Sequence, residues 1–166
     1  MLLRRKYIRW LLPSLALLLA AVVAVSVTPV TVLAIRGENR CVLIAITEGE
    51  VLECYFVHSV ELSPVIEIYR VEANGLILVE SRMKTFGWGL PSNEPGFSVK
   101  DIEGKGWFAF SMARLIDDLV IVADPVNDYT FTAARQQFKL IDFGRRVKIS
   151  VERQNLLGVM IGRCPR

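Results

Sequence analysis

Hydrophobic and polar positions divide the chain at Arg36. From Trp10 to Ile35 the sequence WLLPSLALLLAAVVAVSVTPVTVLAI carries no charged residue and has no polar face. That run is 26 residues, enough to cross a hydrocarbon core of about 30 Å as a helix. Downstream the pattern changes to short apolar and alternating runs separated by turn residues, which predicts strands. The expected strands are Cys41 to Thr47, Val51 to Val57, Val65 to Val71, Leu76 to Lys84, Phe97 to Ile102, Trp107 to Met112, Leu119 to Ala123, Tyr129 to Thr132, Gln137 to Ile141 and Val147 to Glu152. Asn74-Gly75 is a strong hairpin signal, and Glu48-Gly49-Glu50 is expected to turn the second strand back on the first. Helical periodicity is brief, at Ser111 to Leu115 and Ala133 to Gln136.

These elements predict an all-β fold, an antiparallel sandwich or small barrel-like domain, preceded by one N-terminal transmembrane helix. The expected organisation is a cytoplasmic basic flank over 1–9, a membrane anchor or uncleaved signal over 10–35, and an extracytoplasmic β domain over 36–166. The flank MLLRRKYIR holds Arg4, Arg5, Lys6 and Arg9 and no acid, which retains it inside and sends the remainder across. Val32-Leu33-Ala34 resembles a signal cleavage site, but the uncharged run is too long for an ordinary signal and favours a retained anchor. Pro13 falls in the first turns of the expected helix, and Pro29 is expected to kink or end it.

Charge changes the picture once it is divided. The net +3 includes four basic residues in the leader, and from Arg36 onward 16 basic residues face 17 acidic ones. The outer domain is therefore near neutral and offers no basic surface for nucleic acid. Three cysteines, Cys41, Cys54 and Cys164, leave at least one without an intramolecular partner. Cys41 and Cys54 flank the first expected hairpin. They could form a disulfide or stand as two buried thiols, depending on strand register.

The stretch YFVHSVELSPVIEIYRV holds the only histidine, His58, with Ser59, Glu61 and Glu67 close by. Adjacent strand residues point to opposite faces, so His58 and Ser59 cannot serve each other as base and nucleophile, and no G-x-S-x-G elbow is present. One histidine without a recognisable ligand spacing does not build a metal centre, so no catalysis, metal or cofactor is expected. Strand parity instead puts His58 at the end of a stripe formed by Leu52, Cys54, Phe56 and Val60. There a ring nitrogen can bond a backbone carbonyl or a nearby glutamate. Glu67 lies in an apolar run and demands a partner if it faces inward, with Arg70, Arg82 and Lys84 the nearest cations in sequence. A second candidate segment is the glycine-rich loop of Phe86, Gly87, Trp88 and Gly89, where an aromatic side chain can either anchor a partner or fold back on the core. The candidate binding residues are therefore His58, Ser59, Glu61, Glu67, Arg82, Phe86, Gly87, Trp88 and Gly89.

These segments resemble a family of extracytoplasmic proteins, the domain of unknown function numbered 1850. The resemblance rests on His58, Ser59 and Val60, on Ser63, Pro64, Val65 and Glu67, and on Phe86, Gly87, Gly89, Leu90 and Pro91. Trp88 stands where the family carries a small residue. The resemblance spans roughly residues 40 to 152. It implies one amino-terminal membrane segment or signal, and it implies association with TRAP-type permeases and their TAXI-class solute-binding proteins. It implies no catalytic residue. The expected function is therefore a membrane-anchored accessory protein, contacting the bilayer through 10–35 and a TRAP-type permease or its solute-binding protein outside. The alternative is a small-molecule or metal-binding module built on His58 and Glu67.

Overall fold

The computed structural model describes residues 2–85, 96–102, 105–162 and 164, with side chains from residue 13 onward apart from those at 101, 102 and 105. Among the described residues, the helix α1 (Leu2–Val27) leads into eleven antiparallel strands divided between two sheets. Strands β1 (Pro29–Arg36), β2 (Cys41–Ala45), β8 (Asp118–Val122) and β11 (Arg146–Asn155) form a four-stranded sheet in the order β2-β1-β11-β8. Strands β3 (Val51–Val57), β4 (Pro64–Glu72), β5 (Gly75–Met83), β6 (Phe97–Ile102), β7 (Lys105–Ile116), β9 (Thr130–Ala133) and β10 (Gln136–Lys139) form a seven-stranded sheet in the order β10-β9-β3-β4-β5-β7-β6. A 3-10 turn, Leu140–Phe143, follows β10, and a five-residue helix α2 (Leu156–Met160) follows β11. Among the described residues neither sheet closes into a barrel; the architecture is two packed layers.

The layers meet in one main core. Leu33, Ile35, Val147 and Ile149 from the smaller sheet pack with Leu52, Tyr69, Leu76 and Phe131 from the larger, all of them buried. Alternating side chains on each strand supply these inward positions. A smaller cluster of Val65, Met83 and Phe110 lies on the larger sheet alone.

The uncharged run 10–35 is not one element. The helix stops at Val27, and Pro29 to Ile35 belong to β1, where Val32, Leu33, Ala34 and Ile35 are fully buried. β-Branched Val30, Thr31 and Val32 favour a strand over helix continuation, and Pro29 supplies no amide for the helix ladder. β1 is apolar because its inner face is core, while on its outer face Arg36 and Glu152 pair over Ser150 (Arg36 Nη2 to Glu152 Oε2 2.8 Å). Cleavage at Val32-Leu33-Ala34 would cut a central strand in half. The helix begins at Leu2, so Pro13 lies inside it. The side chains of Pro13 to Ser26 are almost all exposed, and among the described residues no helix is long and apolar enough to cross a membrane.

Three other expectations are corrected. β2 and β3 are not a hairpin: Gly49, at φ +84°, turns the chain from one sheet to the other, and its amide donates to Val71 O at 2.8 Å. Cys41 and Cys54 consequently sit in different sheets. Cys41 is bonded to Cys164, with Cα atoms 6.3 Å apart, while Cys54 is a buried free thiol. The two short helical candidates are strand β7 and the β9–β10 turn, where Ala134 and Arg135 take φ +47° and +62°.

Candidate functional site

The register of the larger sheet assembles a row across its inner face. Cys54 pairs with Phe131 on one side and Glu67 on the other; Glu67 pairs with Ser81, and Ser81 with Phe110. Directly paired residues share a face, so Phe131, Cys54, Glu67, Ser81 and Phe110 lie side by side. Glu67 sits mid-row on β4, flanked by a thiol and a hydroxyl group and bounded at both ends by phenyl rings. Tyr69, two residues along the same strand face, donates its hydroxyl to Glu67 Oε2 at 2.5 Å. Phe56, on the neighbouring row, stacks on Tyr129 with ring centroids 4.9 Å apart.

The electrostatics of this row favour uncharged forms. Burial pushes the Glu67 carboxyl above its usual range, opposed by the Tyr69 hydrogen bond and by the positive charge of Arg114. Burial raises the Cys54 thiol as well, reinforced by the negative charges of Glu67 and Glu53. Tyr69 and Tyr129 are raised first by burial, then by these neighbours. A thiol held in its protonated form is a poor nucleophile. A carboxyl that ionises reluctantly in an apolar setting can both donate and accept a hydrogen bond. The arrangement suits recognition or proton-linked binding better than covalent chemistry.

The sequence-predicted residues do not converge on Glu67. His58 opens the turn after β3. Its Nδ1 accepts the Glu61 amide at 3.2 Å, its own amide donates to Ser63 O at 2.9 Å, and its carbonyl accepts from Leu62 at 2.8 Å. The imidazole thus closes a turn, bonding a backbone amide where a carbonyl or glutamate was expected. Ser59 is exposed and Glu61 half-buried, and among the described residues no ion pair joins His58 to either glutamate. Asn127 holds the same corner from outside, donating Nδ2 to Val57 O at 2.8 Å.

Arg82 lies on the opposite face from Glu67, because Glu67 pairs with Ser81 and parity alternates. Arg82 and Lys100 both bind the carboxylate of Glu80, which is buried; burial alone would raise Glu80, but these two hydrogen bonds bring it below its usual value. Arg70 pairs with Glu72 at 3.1 Å, and Lys84 donates to Gly106 O at 2.6 Å while lying 4.4 Å from the Trp107 ring centroid. None of the three cations named for Glu67 reaches it. Phe86, Gly87, Trp88 and Gly89 lie outside the described residues. Cys54, Tyr69, Ser81 and Tyr129 were not anticipated as neighbours of Glu67; strand parity marks Cys54 as inward, but only the β3–β4–β5 register brings the row together.

Among the described residues no group of three or more His, Cys, Asp or Glu side chains could hold a metal ion. An open surface cleft of about 540 Å³ lies elsewhere, lined by Glu38, Asp124, Pro125 and Arg145 among others. Its Glu38 carboxylate is already engaged by the Arg145 amide at 2.7 Å.

The chain is a two-layer antiparallel β protein with a row of polar side chains across its larger sheet. Residues 52–140 match the family model described as Domain of unknown function (DUF1850), which covers more than half of the 166 residues, and the chain belongs to that family. The match spans β3 through β10 and includes His58 and Glu67, while β1, β2 and β11 lie outside it. No curated protein and no solved structure matches the chain.

Proposed function

We propose that this chain is a membrane-tethered extracytoplasmic β-sandwich that serves as an accessory to a solute transport complex of the TRAP type. The observation that carries the tether is the exit of α1. Its uncharged, exposed face runs to Val27, and a single residue, Thr28, separates it from the central strand β1. The 18 uncharged residues from Trp10 to Val27, the first three of them outside the described side chains, would span about 27 Å as a helix, close to a hydrocarbon core. The basic leader favours the amino terminus inside. The Cys41–Cys164 disulfide supports an oxidising compartment for the domain. Protease added to sealed spheroplasts should digest the β domain, and full protection until lysis would contradict the topology. The transport role follows from the family resemblance and is tested by co-purification, at native expression, with the permease and its solute-binding protein.

A second reading is favoured by Glu67 itself. A carboxyl facing the core with a tyrosine hydroxyl as its hydrogen-bond partner gains from a ligand that shares its proton. Carboxylic acids and divalent ions, screened by thermal shift at acidic and neutral pH, address it: a ligand of the native state raises the midpoint. A Glu67→Gln variant that responds equally would remove Glu67 from the site.

A further inference from the structure

The inner face of the larger sheet carries two apolar clusters rather than one. The main core reaches Cys54, Tyr69 and Leu78, and Val65, Met83 and Phe110 form the second. Glu67 and Ser81, directly paired on β4 and β5, lie in the seam between them. Phe56 and Met112, both half-buried, pack against both clusters and wall the seam. A carboxyl and a hydroxyl that interrupt a core cost stability unless they are bonded.

Ser81 gives the first sign of a ligand. It is only 3% exposed, yet its hydroxyl bonds to no described residue. Every enclosed side-chain oxygen and nitrogen among the described residues has a partner. The Ser81 Oγ must therefore border open space, on the side of the sheet where Glu67 stands. Glu67 is in the same position: the Tyr69 hydroxyl donates to Oε2, and no described group bonds Oε1. Two oxygens on adjacent strands thus face an opening in the seam.

Arg114 gives the second. It pairs with the buried Leu78 and so shares the inner face. It stands on β7 beyond Phe110, where the pairing with β6 stops, and it is exposed. Its positive charge acts on Glu67, but among the described residues neither group takes part in an ion pair. The seam thus has a carboxyl inside and a guanidinium at its mouth, opposite in sign and not in contact. A ligand with one charge would satisfy one of them and leave the other unpaired. A zwitterion answers both. Its ammonium meets Glu67 and Ser81, and its carboxylate meets Arg114, through charge-assisted hydrogen bonds. Its side chain then lies on Phe56 and Met112, the apolar lining typical of a small-molecule site.

We propose that this seam binds an α-amino acid with an apolar side chain, held by Glu67, Ser81 and Arg114. This rests on the reading of Glu67 as a ligand contact, and the test separates the two. The full chain in nanodiscs is titrated calorimetrically with L-leucine. The controls are isocaproate, which is leucine without its ammonium, and isoamylamine, which is leucine without its carboxylate. The expected result is binding of leucine, with each control weaker by about tenfold or more. Arg114→Met, at an exposed position, should weaken leucine by about tenfold and leave isoamylamine unchanged. Glu67→Gln should weaken leucine similarly and leave isocaproate unchanged. Leucine binding that is indifferent to both variants overturns the inference. A carboxylic acid or divalent ion that binds through Glu67, with leucine bound no more tightly, overturns it too and leaves the Glu67 reading intact. No binding by any of them overturns both.

Discussion

The two sheets solve the same packing problem by different routes. In the seven-stranded sheet most neighbours are also neighbours in sequence: β3, β4 and β5 follow one another, β6 meets β7, and β9 meets β10. In the four-stranded sheet the central pair joins residues 29–36 to 146–155, the two ends of the domain. Local pairs need little loop closure, whereas the terminal pair forms only after the intervening chain is organised. The family match covers the locally paired sheet and β8 of the smaller one, and leaves out β1, β2 and β11. The larger sheet carries the polar row. The smaller sheet closes the core and links it to α1.

That contrast can be broken, most forcefully at β1. Leu33→Ala removes a fully buried side chain from the terminal pair and should cost about 3–5 kcal/mol by urea unfolding. Val51→Ala on β3, at a position 61% exposed, should stay within about 0.5 kcal/mol. Equal, small effects would mean that the closing sheet contributes little. Next, replacing Cys41 and Cys164 with Ser should lower stability by about 2–4 kcal/mol, while Cys54 stays unreactive toward thiol reagents until the domain unfolds.

Acid titration sharpens the comparison because Glu152 in the smaller sheet and Glu67 in the larger are shifted in opposite senses. Arg36 and the Ser150 hydroxyl hold Glu152 at about 2, against a usual 4.5. Its contribution is complete above the unfolded-state value and is lost as pH falls toward 2, so Arg36→Met should remove about 1–3 kcal/mol at pH 7 and less at pH 3. Glu67 is raised by burial, so the native state holds its proton longer and stability declines as pH rises through the carboxyl range. Glu67→Gln should flatten that decline and raise the neutral-pH melting midpoint; a lower midpoint would show that the ionised form is the supported one. Smallest is Arg70→Ala, which breaks an exposed pair with Glu72 and should change stability by less than about 1 kcal/mol.

The same division explains what could be read from the amino acids. Asn74-Gly75 announced the β4–β5 hairpin, because local turn chemistry decides such pairs. β1 was hidden inside an uncharged run, since a strand covered on both faces carries no alternation to distinguish it from a membrane segment. Cys41 was assigned to the wrong neighbourhood for the same reason: its partner, Cys164, lies 123 residues away. At the site, Glu67 was recognised from its apolar surroundings. Its relation to Tyr69, Cys54 and Ser81 depended on inter-strand register, and Arg82 fell on the wrong side of the sheet once that register was set.

Thr28 is the whole connection between α1 and β1, and its amide and hydroxyl are both bonded back to the helix, at Val25 O and Ala24 O. Such a joint has no swivel. A tilt of α1 passes as torque into the middle of the smaller sheet, and under the proposed tether this joint would set the angle at which the domain is presented.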